Sequence, residues 1–342
     1  MLPSPPLLVV GPAWVGDMVL ADSLFQVLVR QDPRRAIDVL APPWSLPLLE
    51  RMPGVRRGIA LPVAHGRLGL AVRWRLGREL ARVGYGQALL LPNSFKSALV
   101  PFWAGIPRRT GFRGELRWGL LTDIRPLDRQ RLPRTVDRFV ALGLAPGATL
   151  PADLPYPKLR VDPDAARATA RRLAPAGPAD APLLVLCPGA EYGPAKMWPV
   201  AHFATLARRQ TARGWRVWII GSDKDRPAGA DIAGPGGPGM QDLTGRTRLG
   251  EAVDLLSLAT AVVSNDSGLM HVAAALDRPV IALFGSSDPT HTPPLGRRAR
   301  VLSLNLPCAP CFRRRCPLGH TDCLTTLAPE RVLALLDDGD AP

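Results

Sequence analysis

Short apolar runs alternate with longer amphipathic segments along the whole chain. Seven of these runs have the length of a strand: LLVV (7–10), IDVL (37–40), ALLL (88–91), LLVL (183–186), VWII (217–220), AVVS (261–264) and VIALF (280–284). Short apolar strands separated by helical segments are typical of parallel sheets that helices cover on both faces. The pattern therefore predicts an α/β protein.

A proline-rich stretch between residues 145 and 182 interrupts this alternation. The chain has 342 residues, which is more than one hydrophobic core usually organises. We therefore expect two doubly wound, Rossmann-like domains that face each other across a cleft, comprising residues 1–165 and 166–342. The segment APERVLALLDD (328–338) predicts a terminal helix. In doubly wound sheets, ligands bind beyond the carboxyl ends of the strands.

The positive charge is concentrated in the first half of the chain. Of a net charge of +14, residues 51–138 contribute 18 Lys and Arg against 5 Asp and Glu, whereas residues 180–342 carry 17 against 16. A GC-rich genome, which encodes arginine wherever a cation is tolerated, would also account for this excess. The functional alternative is an anionic partner: nucleic acid, a membrane surface or a phosphorylated substrate. With 6% aromatic residues and no RNA-binding or helix-turn-helix signature, nucleic acid is the least favoured of the three.

The sequence contains no apolar run long enough for a transmembrane helix. The apolar N-terminal segment lacks a basic region and soon reaches Asp17 and Asp22, which disfavours a signal peptide. We therefore expect a cytoplasmic protein.

The first strand continues into GPAWVGD (11–17). This loop is neither a dinucleotide fingerprint nor a Walker A loop, because the G-x-G-x-x-G spacing and the Lys-Ser/Thr pair are both absent. Asp17 is expected at the start of a helix that faces the cleft. From its position it either caps that helix or acts as a general base on a substrate hydroxyl.

The strand at 183–186 continues into CPGAEYGPAKMWP (187–199). Gly189 and Gly193 permit close approach of the backbone, and Lys196 precedes a predicted helix. A strand, a glycine loop, a cation and a helix N-terminus together make an anion site. The alternative is that Lys196 is an ordinary surface lysine.

The strand at 261–264 ends in SNDSG (264–268), and a helix begins near Gly268. Ser267 and the first helical amides could bind a phosphate, Asp266 could bind a hydroxyl or orient a cation, and His271 lies one turn further on. A capped helix with a core histidine would also explain this stretch. The next loop, FGSSDPTHTPP (284–294), is polar as well. Because consecutive strand ends share this character, we expect the C-terminal half to bind a nucleotide diphosphate.

The segment CAPCFRRRCPLGHTDC (308–323) contains four cysteines in the pattern C-x2-C-x4-C-x6-C. In a cytoplasmic chain this density favours a metal over disulfides. Four thiolates, from Cys308, Cys311, Cys316 and Cys323, could close a tetrahedral structural zinc site. An iron–sulfur cluster and a loop of reduced thiols remain as alternatives. Cys187, at a strand end, is expected to pack.

Four stretches, taken together, resemble one known family: GPAWVGDMVLADSL, LPNSFKSALVPFWAGIPRRTGFRGELRWGLL, CPGAEYGPAKMWP and SNDSGLMHVAAALDRPVIALFG. They are similar to the ADP-heptose:lipopolysaccharide heptosyltransferases, most of all to the heptosyltransferase II group, in the same order and over essentially the whole chain. This resemblance implies the GT-B architecture of two Rossmann-like domains. It also implies an inverting transfer without a covalent intermediate.

The resemblance implies a role for each matching residue. The catalytic carboxylate falls on Asp17, and the diphosphate-binding lysine falls on Lys196. The other donor-binding positions are Gly189, Glu191, Tyr192, Asp266, Ser267, Gly268 and His271, and the acceptor-side positions are Asn93, Ser94 and Lys96. Because the donor loop reads GAEY here, hydroxyl contacts seen in heptosyltransferase I would have to come from Tyr192 or the backbone.

The implied partners are ADP-heptose and a Kdo-lipid A acceptor that carries one heptose, with peripheral contact to the cytoplasmic face of the inner membrane and no nucleic acid. The chemistry implies no required cofactor. Within the family, heptosyltransferase I or a later-acting homologue is the alternative. Outside it, the alternatives are a binding module without turnover, which Asp17 disfavours, and a nucleotide-sugar oxidoreductase, which the missing dinucleotide fingerprint disfavours.

Overall fold

The computed structural model describes residues 4–64, 66–175, 180–235, 237 and 239–338. The chain divides into two compact units, which we call the first unit (Met1–Lys158) and the second unit (Leu159–Pro342). The boundary expected between residues 165 and 166 would fall inside a helix, Pro163–Leu173, which packs against the helix Leu249–Ser257 of the second unit. That packing places the helix with the second unit.

The first unit contains one six-stranded parallel sheet in the order β3-β2-β1-β4-β5-β6. Its strands are β1 (Leu7–Val10), β2 (Ile37–Ala41), β3 (Arg57–Ala60), β4 (Gln87–Leu90), β5 (Arg108–Phe112) and β6 (Asp123–Arg125). Its helices are α1 (Val15–Gln31), α2 (Leu46–Leu49), α3 (Leu70–Leu80), α4 (Leu99–Trp103) and α5 (Thr135–Gly143).

The second unit contains another six-stranded parallel sheet, in the order β12-β11-β10-β7-β8-β9. Its strands are β7 (Leu183–Cys187), β8 (Arg216–Ile219), β9 (Met240–Asp242), β10 (Ala261–Asn265), β11 (Val280–Leu283) and β12 (Ala299–Leu302). Its helices are α6 (Pro163–Leu173), α7 (Val200–Ala212), α8 (Arg226–Ala233), α9 (Leu249–Ser257), α10 (Gly268–Ala275), α11 (Asp322–Thr325) and α12 (Pro329–Asp337).

Both sheets have the same topology. Counted within its own unit, each runs 3-2-1-4-5-6, the strand order of the Rossmann fold. The expected fold class is therefore confirmed, as are all seven strands predicted from the apolar runs and the terminal helix. The order reverses between β1 and β4 in the first unit and between β7 and β10 in the second, and ligands of such sheets bind at this switch point.

The central strands are buried along their whole length. LLVV of β1, LLVLC of β7 and AVVSN of β10 have every residue buried. Burying a Leu or Val side chain contributes about 1.5–3 kcal/mol relative to leaving it exposed. Each sheet therefore forms the centre of its unit's core, and the polar side chains at its strand ends are held on a rigid support. Among the residues that the structure describes, none of the helices has both the length and the apolar character needed to cross a membrane.

The apolar run of β2 contains one acid, Asp38, which is fully buried. Its carboxylate accepts hydrogen bonds from Arg56 (2.6 and 2.7 Å), from Arg57 (2.9 Å) and from the Tyr85 hydroxyl (2.5 Å). Burial acts to raise the pKa of Asp38, but these donors hold it below its usual value. Because Arg57 belongs to β3, the network fastens this edge strand to the sheet.

A second buried acid, Asp22, ties α1 to the end of the first unit. Its Oδ2 accepts hydrogen bonds from the Gln26 side chain (2.7 Å) and the Lys158 backbone N–H (2.8 Å), whereas its Oδ1 has no hydrogen-bond partner among the described residues. Burial raises the pKa of Asp22 to about 6, although the bonds from Lys158 and Gln26 act to lower it. The fold therefore favours the protonated carboxyl.

We expect Asp22→Asn to stabilise the protein at pH 8 and to leave its stability at pH 4 nearly unchanged. The folded pKa lies above the unfolded one, so the stabilisation from proton binding is present at low pH and is lost as the pH rises from about 4 to 6. The expected gain at pH 8 is at most about 3 kcal/mol, from two pKa units. Denaturant unfolding at both pH values measures it. The exposed Asp153, replaced by Asn, is the control and should show no such pH-dependent difference. A loss of stability at pH 8 in Asp22→Asn would contradict the expectation.

Candidate active site

In the first unit, the predicted catalytic and acceptor-side residues follow the two strands at the switch point. β1 and β4 pair in parallel, with Val10 opposite Leu90. Asp17, in the loop-and-helix segment after β1, lies in the first turn of α1, where a carboxylate is favoured by the helix dipole. Asn93, Ser94 and Lys96 follow β4. The topology thus brings both groups to the carboxyl edge of neighbouring strands, where the sequence analysis expected a ligand.

Two buried arginines fasten the segment that carries Asn93 and Lys96. Arg117 donates hydrogen bonds to the Pro92 carbonyl (2.9 Å), to the Asn93 side chain (3.3 Å) and to the Phe112 carbonyl. Arg73 donates to the Lys96 carbonyl at 3.2 Å. Sequence reasoning missed both, because nothing in the sequence distinguishes them from the many surface arginines around them.

In the second unit, the side chain of Asn265 joins the two loops at the switch point. Asn265 ends β10 and is fully buried. Its Oδ1 accepts a hydrogen bond from the Trp198 backbone N–H (3.0 Å), and its Nδ2 donates to the Pro188 carbonyl (2.6 Å). The loop after β7, which carries Gly189 to Lys196, is therefore held against the end of β10. Asn265 was not predicted, although it stands inside the SNDSG stretch.

Lys196 and Asp266 form an ion pair across these loops, with Nζ and Oδ2 2.5 Å apart. The Ser287 hydroxyl, from the loop after β11, donates to the same Oδ2 at 2.5 Å. Both charged side chains are largely buried, with exposed fractions of 17% for Lys196 and 6% for Asp266. Of the two expected roles for Asp266, the structure shows orientation of a cation. Lys196 is thus not an ordinary surface lysine, and Ser287 is a further member of the site.

His271 lies one turn into α10, and its side chain is buried. Its Nδ1 has no hydrogen-bond partner among the described residues. Burial lowers the pKa of His271 to about 4; Asp266 acts to raise it and Lys196 acts to lower it. The imidazole is therefore neutral near pH 7, and it leaves one buried ring nitrogen able to bond a ligand or water.

The N-terminus of α10 lies beside this group. Ser267 is the N-cap residue, with extended backbone, and Gly268 is the first helical residue. The Ser267 hydroxyl is 3.2 Å from that of Ser264. The first amides of a helix lack intrahelical acceptors and carry the positive end of the dipole, so they attract an anion. The phosphate site predicted at Ser267, Gly268 and Lys196 stays a prediction, which this helix N-terminus favours.

The remaining predicted donor residues hold the loop after β7 in place. A Cβ on Gly189 would lie 2.5 Å from the Asp225 carboxylate, so a larger residue there would require the Asp225 side chain to move. Glu191 forms an exposed ion pair with Lys224. The Tyr192 hydroxyl donates a hydrogen bond to the Phe312 carbonyl (2.8 Å). Two cations lie over the Tyr192 ring: Lys196 Nζ is 5.1 Å and Arg314 Cζ is 5.4 Å from the ring centroid. Arg314 is a cation near the predicted phosphate site that sequence reasoning missed.

The four clustered cysteines lie close together in the structure. Cys308, Cys311, Cys316 and Cys323 line one small cavity of about 20 Å³, together with His320, Ala195 and Ser286. None of the four forms a disulfide. Within the described part of the chain, no three His, Cys, Asp or Glu side chains already stand in a metal-ligating arrangement. Cys187, at the end of β7, is buried as expected, and burial raises the pKa of its thiol.

Comparisons with known proteins agree with this geometry. Residues 73–322 match the family model "Glycosyltransferase family 9 (heptosyltransferase)". The chain is 44% identical to lipopolysaccharide heptosyltransferase 2 of Escherichia coli over 340 residues, which cover 97% of each chain. It superposes on the structure of E. coli ADP-heptose LPS heptosyltransferase II with a TM-score of 0.88 at 41% identity, covering 98% of each chain. The chain is also 35% identical to lipopolysaccharide heptosyltransferase 1 of Pseudomonas aeruginosa over 185 residues, which cover 48% of this chain and 50% of that one.

Proposed function

The chain belongs to glycosyltransferase family 9, the heptosyltransferases, and from this we propose that it transfers a heptose from ADP-heptose to the first heptose of the lipopolysaccharide inner core. The observation that carries the proposal is the near full-length similarity to heptosyltransferase 2, at 44% identity. The sequence match to heptosyltransferase 1 of Pseudomonas aeruginosa covers only 48% of the chain, which favours the second transfer over the first.

The second unit is the proposed donor domain. The diphosphate would lie against Lys196, Ser267 and the first amides of α10, because the second unit offers there a buried cation beside a helix N-terminus. Asp266 holds the Lys196 ammonium in place, and Ser287 donates a hydrogen bond to the same carboxylate oxygen. The neutral ring of His271 offers Nδ1 to a ligand hydroxyl or phosphate oxygen.

The proposed reaction is one inverting displacement. Asp17 takes the proton of the acceptor hydroxyl while that oxygen attacks the anomeric carbon from the face opposite ADP. The new carbon–oxygen bond forms as the bond to the β-phosphate oxygen breaks, and the electron pair leaves with ADP. Lys196 and the helix amides stabilise the developing negative charge, an effect that is commonly worth a few kcal/mol. We propose that these steps require no cofactor.

Product analysis with defined acceptors tests the proposal. The enzyme is incubated with ADP-heptose and either a one-heptose or a heptose-free Kdo-lipid A acceptor, and the products are weighed by mass spectrometry. We expect one added heptose on the one-heptose acceptor. Transfer to the heptose-free acceptor alone would identify the chain as a heptosyltransferase I, and absence of transfer to either would refute the proposal.

We further propose that the enzyme is cytoplasmic and binds peripherally to the inner membrane through the first unit. Three segments of this unit form what we call the aromatic–arginine surface. Hydrogen bonds between Arg73 and Lys96, between Glu115 and Phe95 and between Arg117 and Asn93 join the segments. The surface comprises residues 67–78, 93–103 and 109–118. The large apolar side chains exposed on it are Leu68, Leu70, Trp74, Phe95, Phe102, Leu116 and Trp118.

The chemistry of this surface fits an anionic bilayer. Leu116 is 77% exposed, Trp118 59% and Trp74 52%, which is unusual for such residues on a surface that faces only water. The guanidinium of Arg113 lies 5.3 Å from the Trp118 ring, and that of Arg109 lies 5.6 Å from the Phe102 ring. Tryptophan prefers the membrane interface, and each Arg or Lys near an anionic surface contributes about 1 kcal/mol.

We expect the double variant Trp74→Ser/Trp118→Ser to bind anionic vesicles about tenfold or more weakly, since two interfacial anchors are lost. Co-sedimentation with phosphatidylglycerol vesicles measures this, and wild-type binding should also fall as salt screens the arginines. In a separate kinetic assay, Lys96→Ala should raise the KM for the acceptor. The control is Val301→Ser, which removes an exposed apolar residue of the second unit. Equal vesicle binding by the double variant, the control and the wild type would show that another surface meets the membrane.

A further inference from the structure

The cysteine-rich loop is joined to the proposed donor site by direct contacts. The Phe312 carbonyl accepts the Tyr192 hydroxyl, and the Phe312 N–H donates to the Ser286 carbonyl at 2.7 Å. The Arg314 carbonyl accepts the Ala195 N–H at 3.2 Å. Residues 312–314 thus touch both the loop after β7 and the loop after β11, immediately beside Lys196 and Ser287.

Glycine at position 193 makes this contact close. Gly193 has a φ of +150°, and a Cβ there would lie 2.6 Å from the Arg314 carbonyl oxygen. The Arg314 guanidinium and the Lys196 ammonium both lie over the ring of Tyr192. The position of Arg314 therefore depends on how residues 308–323 are fixed.

The cysteine-rich loop has little regular structure of its own. Residues 303–321 contain no helix or strand in the described structure, and Phe312 to Arg315 are exposed. The four thiols line a common cavity of about 20 Å³, whose wall includes Ala195 and Ser286 from the two donor loops. This volume suits one ion or water rather than an apolar side chain.

We propose that Cys308, Cys311, Cys316 and Cys323 bind one Zn²⁺ ion, and that this ion sets donor affinity by holding residues 312–314 against the donor loops. The ligand set fits: four sulfur donors in number and type match a closed, tetrahedral structural zinc site. Because no three of these side chains stand in a metal-ligating arrangement within the described residues, the thiols must shift to bind the ion. The four thiols release their protons as they become ligands. The part of the inference that concerns donor affinity rests on the proposed donor site.

Three measurements test it on the full-length protein purified under reducing conditions. Elemental analysis should find about one zinc per chain. Chelation should expose four additional titratable thiols and lower the calorimetric affinity for ADP about fivefold, the loss expected when a partly exposed cation moves away from an anion. Adding Zn²⁺ alone should restore the affinity. Cys311→Ser should lose the metal and the ADP affinity together, whereas Cys187→Ala should keep the metal.

The outcomes separate this inference from the proposed function. Bound iron, disulfides among the four cysteines, or metal-free protein with all four thiols titratable would each overturn the zinc site, whether or not heptose is transferred. Zinc whose removal leaves ADP affinity unchanged would overturn the coupling. If Cys311→Ser does not fold, chelation and zinc re-addition on the wild-type chain still decide the matter, and failure of heptose transfer with ADP binding intact would count against the proposed function instead.

Discussion

Asp17→Asn is expected to lower kcat by about a hundredfold to ten-thousandfold, the usual contribution of a positioned general base. The substitution keeps the size of the side chain but removes the carboxylate that would accept the acceptor proton. Asp17 sits in the first turn of α1, after the strand at the centre of the first sheet. Steady-state kinetics with ADP-heptose and the one-heptose acceptor measure the effect, and calorimetry with ADP should show unchanged affinity, because the donor residues lie in the second unit.

The matched control is Asp32→Asn, at the opposite end of the same helix. Asp32 is the C-cap residue of α1 and lies at the amino edge of the sheet, away from the proposed chemistry. Its loss should leave kcat near that of the wild type. A folded Asp17→Asn enzyme with wild-type turnover would remove Asp17 from the mechanism and favour its other role, a carboxylate that only stabilises the helix start.

Lys196→Ala is expected to weaken ADP binding by roughly thirtyfold or more and also to destabilise the protein. The first effect follows because truncating one partner of a desolvated charge contact commonly costs about 2–5 kcal/mol. The second follows because the Asp266 carboxylate would stay buried without its cation, at a cost of about 3–5 kcal/mol. Calorimetry with ADP and denaturant unfolding measure the two effects separately.

The double variant Lys196→Met/Asp266→Asn distinguishes binding from folding. It removes both charges and keeps side chains of similar volume, so stability should largely return while ADP affinity stays low. Arg331→Ala, which removes one exposed cation on α12, controls for the change in net charge of the second unit. Wild-type ADP affinity in the double variant would contradict the donor site at the β7–β10 switch point.

The strands that the apolar pattern predicts are those at the centre of each sheet, and the physical reason is burial. β1, β4, β7 and β10 have neighbouring strands on both edges, so most of their residues are buried and apolar. Four of the five strands that the pattern missed lie at sheet edges, and the fifth, β5, is next to one. Edge strands such as RGIA of β3 and ARVL of β12 are half-exposed and carry arginine, so their sequences resemble those of loops.

The candidate site was predictable where chemistry and position coincide. Lys196, Asp266 and His271 stand out because charged or titratable residues rarely follow buried strands without a reason. Ser287 and Asn265 act through hydrogen bonds that depend on how three loops meet, which periodicity does not encode. Arg314 and Arg117 could not be recognised from the sequence, because the chain contains many arginines and only burial or a bonded partner in the structure distinguishes these two.

The separation of the two sheets bears on how such enzymes can diversify. Every proposed donor contact lies in the second unit, and every proposed acceptor contact other than the catalytic acid lies between residues 93 and 96 of the first. Selection can therefore alter which saccharide or lipid is recognised by changing one short stretch of sequence, while the nucleotide pocket is inherited intact. A lineage needs no new donor chemistry to build a longer or differently branched core; a duplicated copy of the gene with substitutions in that stretch would suffice.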